Sequence, residues 1–161
     1  MLLFIQQHPN CFERSLEIGH ITASAWLLSR DGEKALLMLH AKLGIWVQPG
    51  GHADGNPDVL AVAIREAKEE SGIQAIEALS GEIFDIDIHA ILENGRERAH
   101  LHYDVRFLLQ AMSDEELVSS PESKKLHWFG KPREELPTRQ RSILRMHEKW
   151  VASRKILSFY R

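Results

Sequence analysis

The sequence predicts an α/β fold in which helices pack on a central mixed sheet. Two observations favour this class. Short apolar runs separated by turn-forming residues recur along the chain, as expected for strands, and two longer segments carry apolar residues at helical spacing. The chain has 161 residues, of which 43% are hydrophobic and 27% charged. This size and balance suit one domain over residues 1–161 with one good core.

The first third of the chain is expected to supply three strands. Residues 1–19 form a lead-in segment, in which 9–18 suggest a short helix. A strand is predicted over 21–29, and the turn sequence Arg-Asp-Gly-Glu leads to a second strand over 34–40. A short third strand over 45–47 runs into the glycine-rich loop QPGGHADGN.

A central helix follows this loop. Asn56 is its expected N-cap, with Pro57 at the first helical position. The helix is expected to continue through VLAVAIREAKEES and to end at Gly72, since glycine is the usual C-terminal cap.

The remainder of the chain is expected to complete the sheet and end in a helix. Strands are predicted near 82–89 and 99–110, with the turn sequence ENGR between them, and a last strand is predicted at LHWF. Residues 138–154 form a C-terminal helix with four apolar or aromatic side chains along one face. They are Ile143, Met146, His147 and Trp150.

Three carboxylates share one arc of the central helix. At about 100° per residue, Glu66, Glu69 and Glu70 fall within one arc, and like charges three and four residues apart cost the helix a few tenths of a kcal/mol per pair. A divalent cation reverses that cost, and Mg²⁺ prefers such hard oxygen ligands. Gly50 and Gly51 just before the helix let the backbone approach a cation closely. Taken alone, the three glutamates fit a solvated acidic face better than a metal site.

The surrounding residues change that interpretation. The segment GHADGNPDVLAVAIREAKEESGI, from Gly51 to Ile73, resembles the Nudix box, G-x5-E-x7-R-E-U-x-E-E-x-G-U, where U is aliphatic. The matching positions are Gly51, Arg65, Glu66, Glu69, Glu70, Gly72 and Ile73. Pro57 stands in place of the first glutamate of the box, and Ala67 is a small version of the aliphatic residue. That first glutamate usually orients the motif arginine, so Asp58 is expected to take over the task.

The resemblance implies a Nudix-type α/β/α sandwich with residues 50–73 as its loop–helix–loop. It implies hydrolysis of a nucleoside diphosphate linked to another group, such as a nucleotide sugar, ADP-ribose or a nucleoside triphosphate. The implied cofactor is Mg²⁺, with Mn²⁺ as the alternative. The implied metal ligands are the Gly50 carbonyl, Glu66, Glu69 and Glu70. The implied catalytic residues are Glu66, Glu70, Arg65 and Glu122. Arg65 is expected to position the glutamates, and Glu66 is the candidate general base, with Glu122 in a late loop as the second candidate.

Histidines suggest a further site or substrate contacts. The chain has nine, and His52 lies inside the box loop. His100, His102 and Asp104 alternate along a predicted strand, so their side chains share one face. This run can bind a metal, contact phosphate or hold the loop that carries His52. A polar sheet face with satisfied histidines explains the same pattern equally well.

Three other polar or aromatic positions are less specific. Trp46, just before the box loop, can stack on a base, although a position in the core or at its rim fits as well. His20 and His40 are expected to be structural.

Two other functions remain open. Isopentenyl-diphosphate isomerase shares the implied fold, and two histidines of its metal site resemble His20 and His52. That enzyme, however, normally alters the R-E-x-x-E-E core and relies on a cysteine near the box loop, whereas Cys11 is distant in sequence. The other alternative is a non-catalytic nucleotide-sensing module. Degenerate members of that kind lose glutamates from the core, and here the core is whole.

Charge and composition restrict the partners. The formal net charge of −3 gives no electrostatic reason to expect binding to nucleic acid or membranes, so the expected partner is a small nucleoside diphosphate derivative. The sequence identifies no subunit interface, and a homodimer remains open. A single cysteine, a start unlike a signal peptide and the lack of a membrane-length apolar run predict a cytoplasmic protein.

Overall fold

The structure, a computed structural model, describes residues 1–93, 95, 98–114, 116–121 and 123–158, and of 154–158 only the backbone. The strands are β1 (Gly19–Leu28), β2 (Ala35–His40), β3 (Trp46–Val47), β4 (Gly50–His52), β5 (Ile76–Ala78), β6 (Asp85–Ile91), β7 (His100–Ala111) and β8 (Ser123–Phe129). The helices are α1 (Leu2–Gln7), α2 (Val59–Ser71) and α3 (Arg141–Ser158), and a 3₁₀ turn spans Arg133–Glu135.

A mixed sheet forms the centre of the molecule. Its strand order is β3-β2-β1-β7-β5, and β4, β6 and β8 pair with β1, β7 and β2 respectively. The two long strands β1 and β7 run parallel, in a register that places His20 beside His102 and Thr22 beside Asp104. All ten residues of β1 are buried, since this strand is covered on both faces.

Helices cover both faces of the sheet. On one face, alternate residues of β1 and β7 pack against Val62, Ala63 and Ala67 of α2. On the other face, Trp26 and Leu28 of β1 pack with three buried residues of α3, as the helical spacing predicted. They are Ile143, Met146 and Trp150. The predicted α/β/α sandwich with a central mixed sheet is therefore confirmed.

The N-terminal segment differs from the prediction. The helix is Leu2–Gln7, and residues 9–18 form successive turns instead of the expected helix. Their backbone bonds span three residues, as in Cys11 N–H to the His8 carbonyl and Leu16 N–H to the Glu13 carbonyl, and they do not continue as a ladder. The chain then enters β1 through Gly19, whose φ of 151° favours glycine.

The helix start and the loop before it also differ from the prediction. Asp58, and not Asn56, is the N-cap of α2, because its carboxylate accepts the Ala61 N–H at 3.0 Å. Residues 50–52, predicted as loop, form strand β4. The predicted C-cap is confirmed: Gly72 has a φ of 81°, in the left-handed region.

The remaining predicted elements are present with shifted ends. The strand expected near 82–89 is Asp85–Ile91, and the last strand begins earlier than LHWF, at Ser123. The C-terminal helix begins at Arg141 instead of residue 138. Two residues of the ENGR turn, Asn94 and Arg96, lie outside the described residues. Among the helices that the structure describes, none combines the length and the apolar character needed to cross a bilayer.

Candidate active site

Two glycines bring the loop backbone against both β1 and α2. Strand β4 pairs antiparallel with β1, with Gly50 opposite Ser24 and Gly51 opposite Ala23. A Cβ at Gly50 would lie 2.2 Å from the Ser24 Cβ, and one at Gly51 would lie 2.5 Å from the Glu66 carboxyl carbon. Both distances are far below van der Waals contact, so a larger residue at Gly50 would displace the strand backbone and one at Gly51 would displace the Glu66 carboxylate.

Glu70 joins the end of α2 to this loop. Its side chain is buried, and its Oε2 accepts the Gly50 backbone N–H at 2.8 Å. Burying a carboxylate costs free energy unless hydrogen bonds or a cation compensate for its charge. A buried glutamate beside a glycine backbone is therefore a functional candidate rather than part of a solvated acidic face.

The other two glutamates of α2 are more exposed than Glu70. The Glu66 side chain is 13% exposed and the Glu69 side chain 59%. Arg65 pairs with both of them, at 2.8 Å and 3.6 Å respectively. Three carboxylates against one guanidinium leave net negative charge at the loop. The residues that line this place thus fit a hard divalent cation such as Mg²⁺ in charge and donor type.

Arg65 also links the helix to the loop. Its Nη2 donates to the His52 backbone carbonyl at 3.1 Å while the same group pairs with Glu66. Asp58 was expected to orient this arginine, but its carboxylate instead caps the helix. Arg65 therefore holds the loop and the glutamates in one arrangement, in keeping with a positioning role.

The N-terminal segment holds the loop from the other side. The Arg14 guanidinium donates to both carboxylate oxygens of Asp54, and the Gly55 N–H donates to the Phe12 carbonyl at 2.9 Å. The hydrogen bond from Arg14 keeps the pKa of Asp54 below its usual value. Sequence reasoning missed this contact, because residues 14 and 54 are far apart along the chain.

Five histidines lie together on the sheet face opposite α2, and we call them the histidine cluster. They are His20, His52, His89, His100 and His102. The ring centroids of His20, His52 and His100 each lie 4.9 to 5.1 Å from the ring centroid of the nearest other histidine in the cluster. Burial and the surrounding imidazoles lower the pKa of His102 to about 2, so the cluster holds a neutral ring at its centre.

The predicted H-x-H-x-D run does not act as one unit. His100 and His102 belong to the histidine cluster, but Asp104 is buried and accepts hydrogen bonds from Thr22, Ser24 and Arg106 at 2.7 to 3.0 Å. His20, expected to be structural, lies beside His102. The parallel register of β1 and β7 causes this, and no local pattern revealed it. His89, which the sequence did not single out, has its imidazole on the same face.

A buried charge network continues from Asp104. The Arg106 side chain is 2% exposed and also contacts Asp85 and Asp87 at 3.3 Å. Arg145 and Lys149 of α3 reach Asp85 at 2.6 Å. Burial alone would raise the pKa of Asp85, but the hydrogen bonds from these two side chains outweigh burial and lower it. The network ties the sheet to α3.

Trp46 of β3 lies at an open cleft that is lined mainly by residues of β8. The cleft has a volume of about 550 Å³, and Trp46 meets Phe129 there edge to face, with 5.3 Å between ring centroids. Lys124 and Lys125 line the same cleft. His40, by contrast, has a structural contact as expected, because its Nδ1 accepts the Lys42 N–H at 3.2 Å.

Comparison with known families decides the identity of the domain. The model of the NUDIX domain matches residues 19–150. The chain belongs to the Nudix family. The resemblance drawn from the box is therefore confirmed, and we refer below to residues 50–58 as the Nudix loop and to α2 as the Nudix helix. Comparison of the sequence with curated proteins found no match.

Solved structures agree with this assignment. A MutT NUDIX hydrolase from Burkholderia pseudomallei is 25% identical, with a TM-score of 0.62, covering 81% of this chain and 97% of that one. An Ap4A hydrolase from C. elegans is 18% identical, with a TM-score of 0.65 and coverages of 82% and 95%. The E. coli dihydroneopterin triphosphate pyrophosphohydrolase is 15% identical, with a TM-score of 0.62 and coverages of 83% and 95%. The prediction of a Nudix hydrolase acting on phosphoric anhydride bonds is confirmed.

The sequence also offers Glu122 as a second candidate base and Cys11 as an argument against the isomerase. Glu122 lies outside the described residues. Cys11 is buried in the core, and burial raises the pKa of its thiol, so it is unsuited to the catalytic role that an isomerase gives its cysteine.

The contact between Gly51 and Glu66 predicts a specific loss of activity. In Gly51→Ala the new Cβ displaces the Glu66 carboxylate, and a shift of about 1 Å at a reacting centre costs on the order of 100-fold in turnover. Stability is expected to stay within about 1 kcal/mol of wild type, because a flexible side chain can move aside. Gly81→Ala is the matched control, since a Cβ there meets open space. Equal kcat values for the two variants would contradict this use of Gly51.

Proposed function

We propose that this protein is a Mg²⁺-dependent pyrophosphohydrolase that cleaves the diphosphate of a nucleoside diphosphate linked to another group. One observation carries the proposal: two carboxylates of the Nudix helix contact the glycine backbone of the Nudix loop. Glu70 accepts the Gly50 N–H at 2.8 Å, and the Glu66 carboxylate lies where a Gly51 side chain would otherwise be. The carboxylates of this site repel a negatively charged diphosphate, so a diphosphate can bind there only together with cations.

The residues that would hold the cation are Glu66, Glu69 and Glu70, with the Gly50 carbonyl as a further ligand. Mn²⁺ is the alternative ion, since it accepts the same oxygen ligands. When bound, such an ion neutralises the diphosphate, orients the attacking water and stabilises charge on the leaving oxygen. Arg65 keeps the glutamates in place through its contacts with Glu66 and the His52 carbonyl.

Glu66 is the proposed general base. Its side chain is partly exposed, so a water molecule can reach the carboxylate, whereas that of Glu70 is buried. A base must reach the attacking water directly. Glu122 remains the second candidate from the sequence.

The cleft beside Trp46 is the proposed place for the part of the substrate that carries the base. An aromatic pair suits stacking with a nucleobase, and two lysines suit contact with phosphate. Two structural neighbours are named for different substrates, Ap4A and dihydroneopterin triphosphate, so fold likeness does not choose among nucleotide derivatives. A homodimer and a cytoplasmic location remain predictions from the sequence.

A substrate panel tests the proposal. The full chain is incubated with nucleotide sugars, ADP-ribose, nucleoside triphosphates and dinucleoside polyphosphates, with Mg²⁺ or with EDTA, and products are separated by anion exchange. We expect at least one compound to yield two phosphorylated products, or a nucleotide and pyrophosphate, in Mg²⁺ only. Cleavage that EDTA leaves unchanged, or no cleavage of any compound, would refute the proposal. Isopentenyl diphosphate is included, and its rearrangement would establish the isomerase instead.

A further inference from the structure

The histidine cluster lies on the opposite side of the sheet from the glutamates. Side chains alternate along β4, so Gly51 faces Glu66 and the Nudix helix while the His52 ring faces the cluster. The two groups of polar side chains therefore occupy different surroundings, and the proposed hydrolysis makes no use of the histidines.

We propose that His20, His100 and His102 form a second cation site, which takes a transition-metal ion of the Zn²⁺ class. It is separate from the proposed Mg²⁺ centre and does not depend on it. Each of the three residues offers one ring nitrogen, and these nitrogens all lie within 4.8 Å of one another.

Two of the nitrogens already have the spacing of metal ligands. The Nε2 atoms of His100 and His102 are 3.1 Å apart. Nitrogens bound at about 2.0–2.1 Å to a tetrahedral Zn²⁺ lie roughly 3.3 Å apart. The His20 nitrogen lies within 4.8 Å of the other two, so it has to move closer for all three to bind one ion.

The outer contact of His100 supports the same role. Its Nδ1 lies 2.7 Å from the Arg98 backbone carbonyl. A carbonyl only accepts, so in the neutral ring Nδ1 carries the proton and the lone pair is on Nε2, which lies 3.1 Å from the His102 Nε2. Histidine ligands of metals almost always donate their other N–H in this way.

The chemistry of the neighbours selects the class of ion. The three ligand atoms are imidazole nitrogens, which suit Zn²⁺, Ni²⁺ or Cu²⁺ and are poor ligands for Mg²⁺. The nearest carboxylate along β7, that of Asp104, is already bound by Thr22, Ser24 and Arg106. His100 and His102 are only half buried, so an ion can enter from solvent.

Titration of the full chain with Zn²⁺ in excess Mg²⁺ tests the site. After dialysis against EDTA, we expect calorimetry to detect one tightly bound equivalent of Zn²⁺, and Co²⁺ to give the intense visible absorption of a tetrahedral complex. His100→Ala and His102→Ala are each expected to weaken Zn²⁺ binding about 100-fold or more, since loss of an outer partner alone costs 10- to 100-fold. The matched control His8→Ala, at the end of α1, leaves binding unchanged.

A glutamate variant separates this proposal from the hydrolase. Glu70→Gln is expected to retain the Zn²⁺ equivalent, because Glu70 lies at the other site. Unchanged affinity in both His100→Ala and His102→Ala, or loss of the Zn²⁺ equivalent in Glu70→Gln, would overturn the proposal and leave the rings as a hydrogen-bonded group. Circular dichroism checks the folding of each variant. If His102→Ala fails to fold, His100→Ala decides, since His100 lies at the first position of β7.

Discussion

Glu70→Gln is expected to lower turnover in saturating Mg²⁺ by about 10²–10⁴-fold, because loss of a cation's charge stabilisation is worth several kcal/mol. Glutamine keeps the shape of the side chain and one acceptor oxygen, so it can still accept the Gly50 N–H that Glu70 accepts at 2.8 Å. The substitution therefore removes charge while it preserves the contact between the Nudix helix and the Nudix loop. Initial rates as a function of Mg²⁺ concentration measure the effect.

Two companion variants sharpen this experiment. Glu66→Gln is expected to lose activity by a similar factor, since Glu66 is both a proposed ligand and the proposed base. Glu77→Gln, an exposed position on β5, is the matched control and is expected to behave as wild type. If Glu70→Gln turned over substrate within a few-fold of Glu77→Gln, the proposed metal role of Glu70 would be wrong.

Arg106→Ala is expected to lower the free energy of unfolding by about 3–5 kcal/mol, the usual cost of removing one partner from a buried ion pair. The guanidinium is 2% exposed and pairs with Asp104 at 2.7 Å. Its removal leaves buried carboxylates, those of Asp104 and Asp85, with fewer donors. Equilibrium unfolding in urea at neutral pH measures the loss.

The control for this variant is an exposed arginine in a similar pair. Arg30 contacts Asp114 at 2.9 Å, but their side chains are 61% and 76% exposed. Arg30→Ala is therefore expected to change stability by less than about 1 kcal/mol. If both alanine variants unfolded at the same urea concentration as wild type, the network around Arg106 would contribute nothing to stability.

Local patterns predicted the Nudix helix well. The expected helical segment VLAVAIREAKEES is the helix that the structure shows, and glycine preference placed its C-cap correctly at Gly72. The N-cap was assigned two residues too early, because Asn56 and Asp58 are both good caps. Asn56 instead accepts the Asp58 N–H in the turn before the helix.

The register of the sheet could not be predicted from the sequence, and most of the histidine cluster depends on that register. Alternation placed His100 and His102 on one face, but only the parallel pairing of β1 and β7 brings His20 beside them. The same pairing gives Asp104 the hydroxyl groups of Thr22 and Ser24 as partners, which separates it from the histidines. Strand β4 was missed for a related reason. Its glycines have low strand preference, and pairing with β1 overrides it.

Diffraction from crystals soaked in Mn²⁺ tests the central claim most directly, because anomalous scattering locates this ion without assumptions about the substrate. The account predicts a peak bounded by the carboxylates of Glu66, Glu69 and Glu70, and its absence in crystals of Glu70→Gln. A map with no peak beside these glutamates at saturating Mn²⁺, in crystals that leave the Nudix loop open to solvent, would contradict the account.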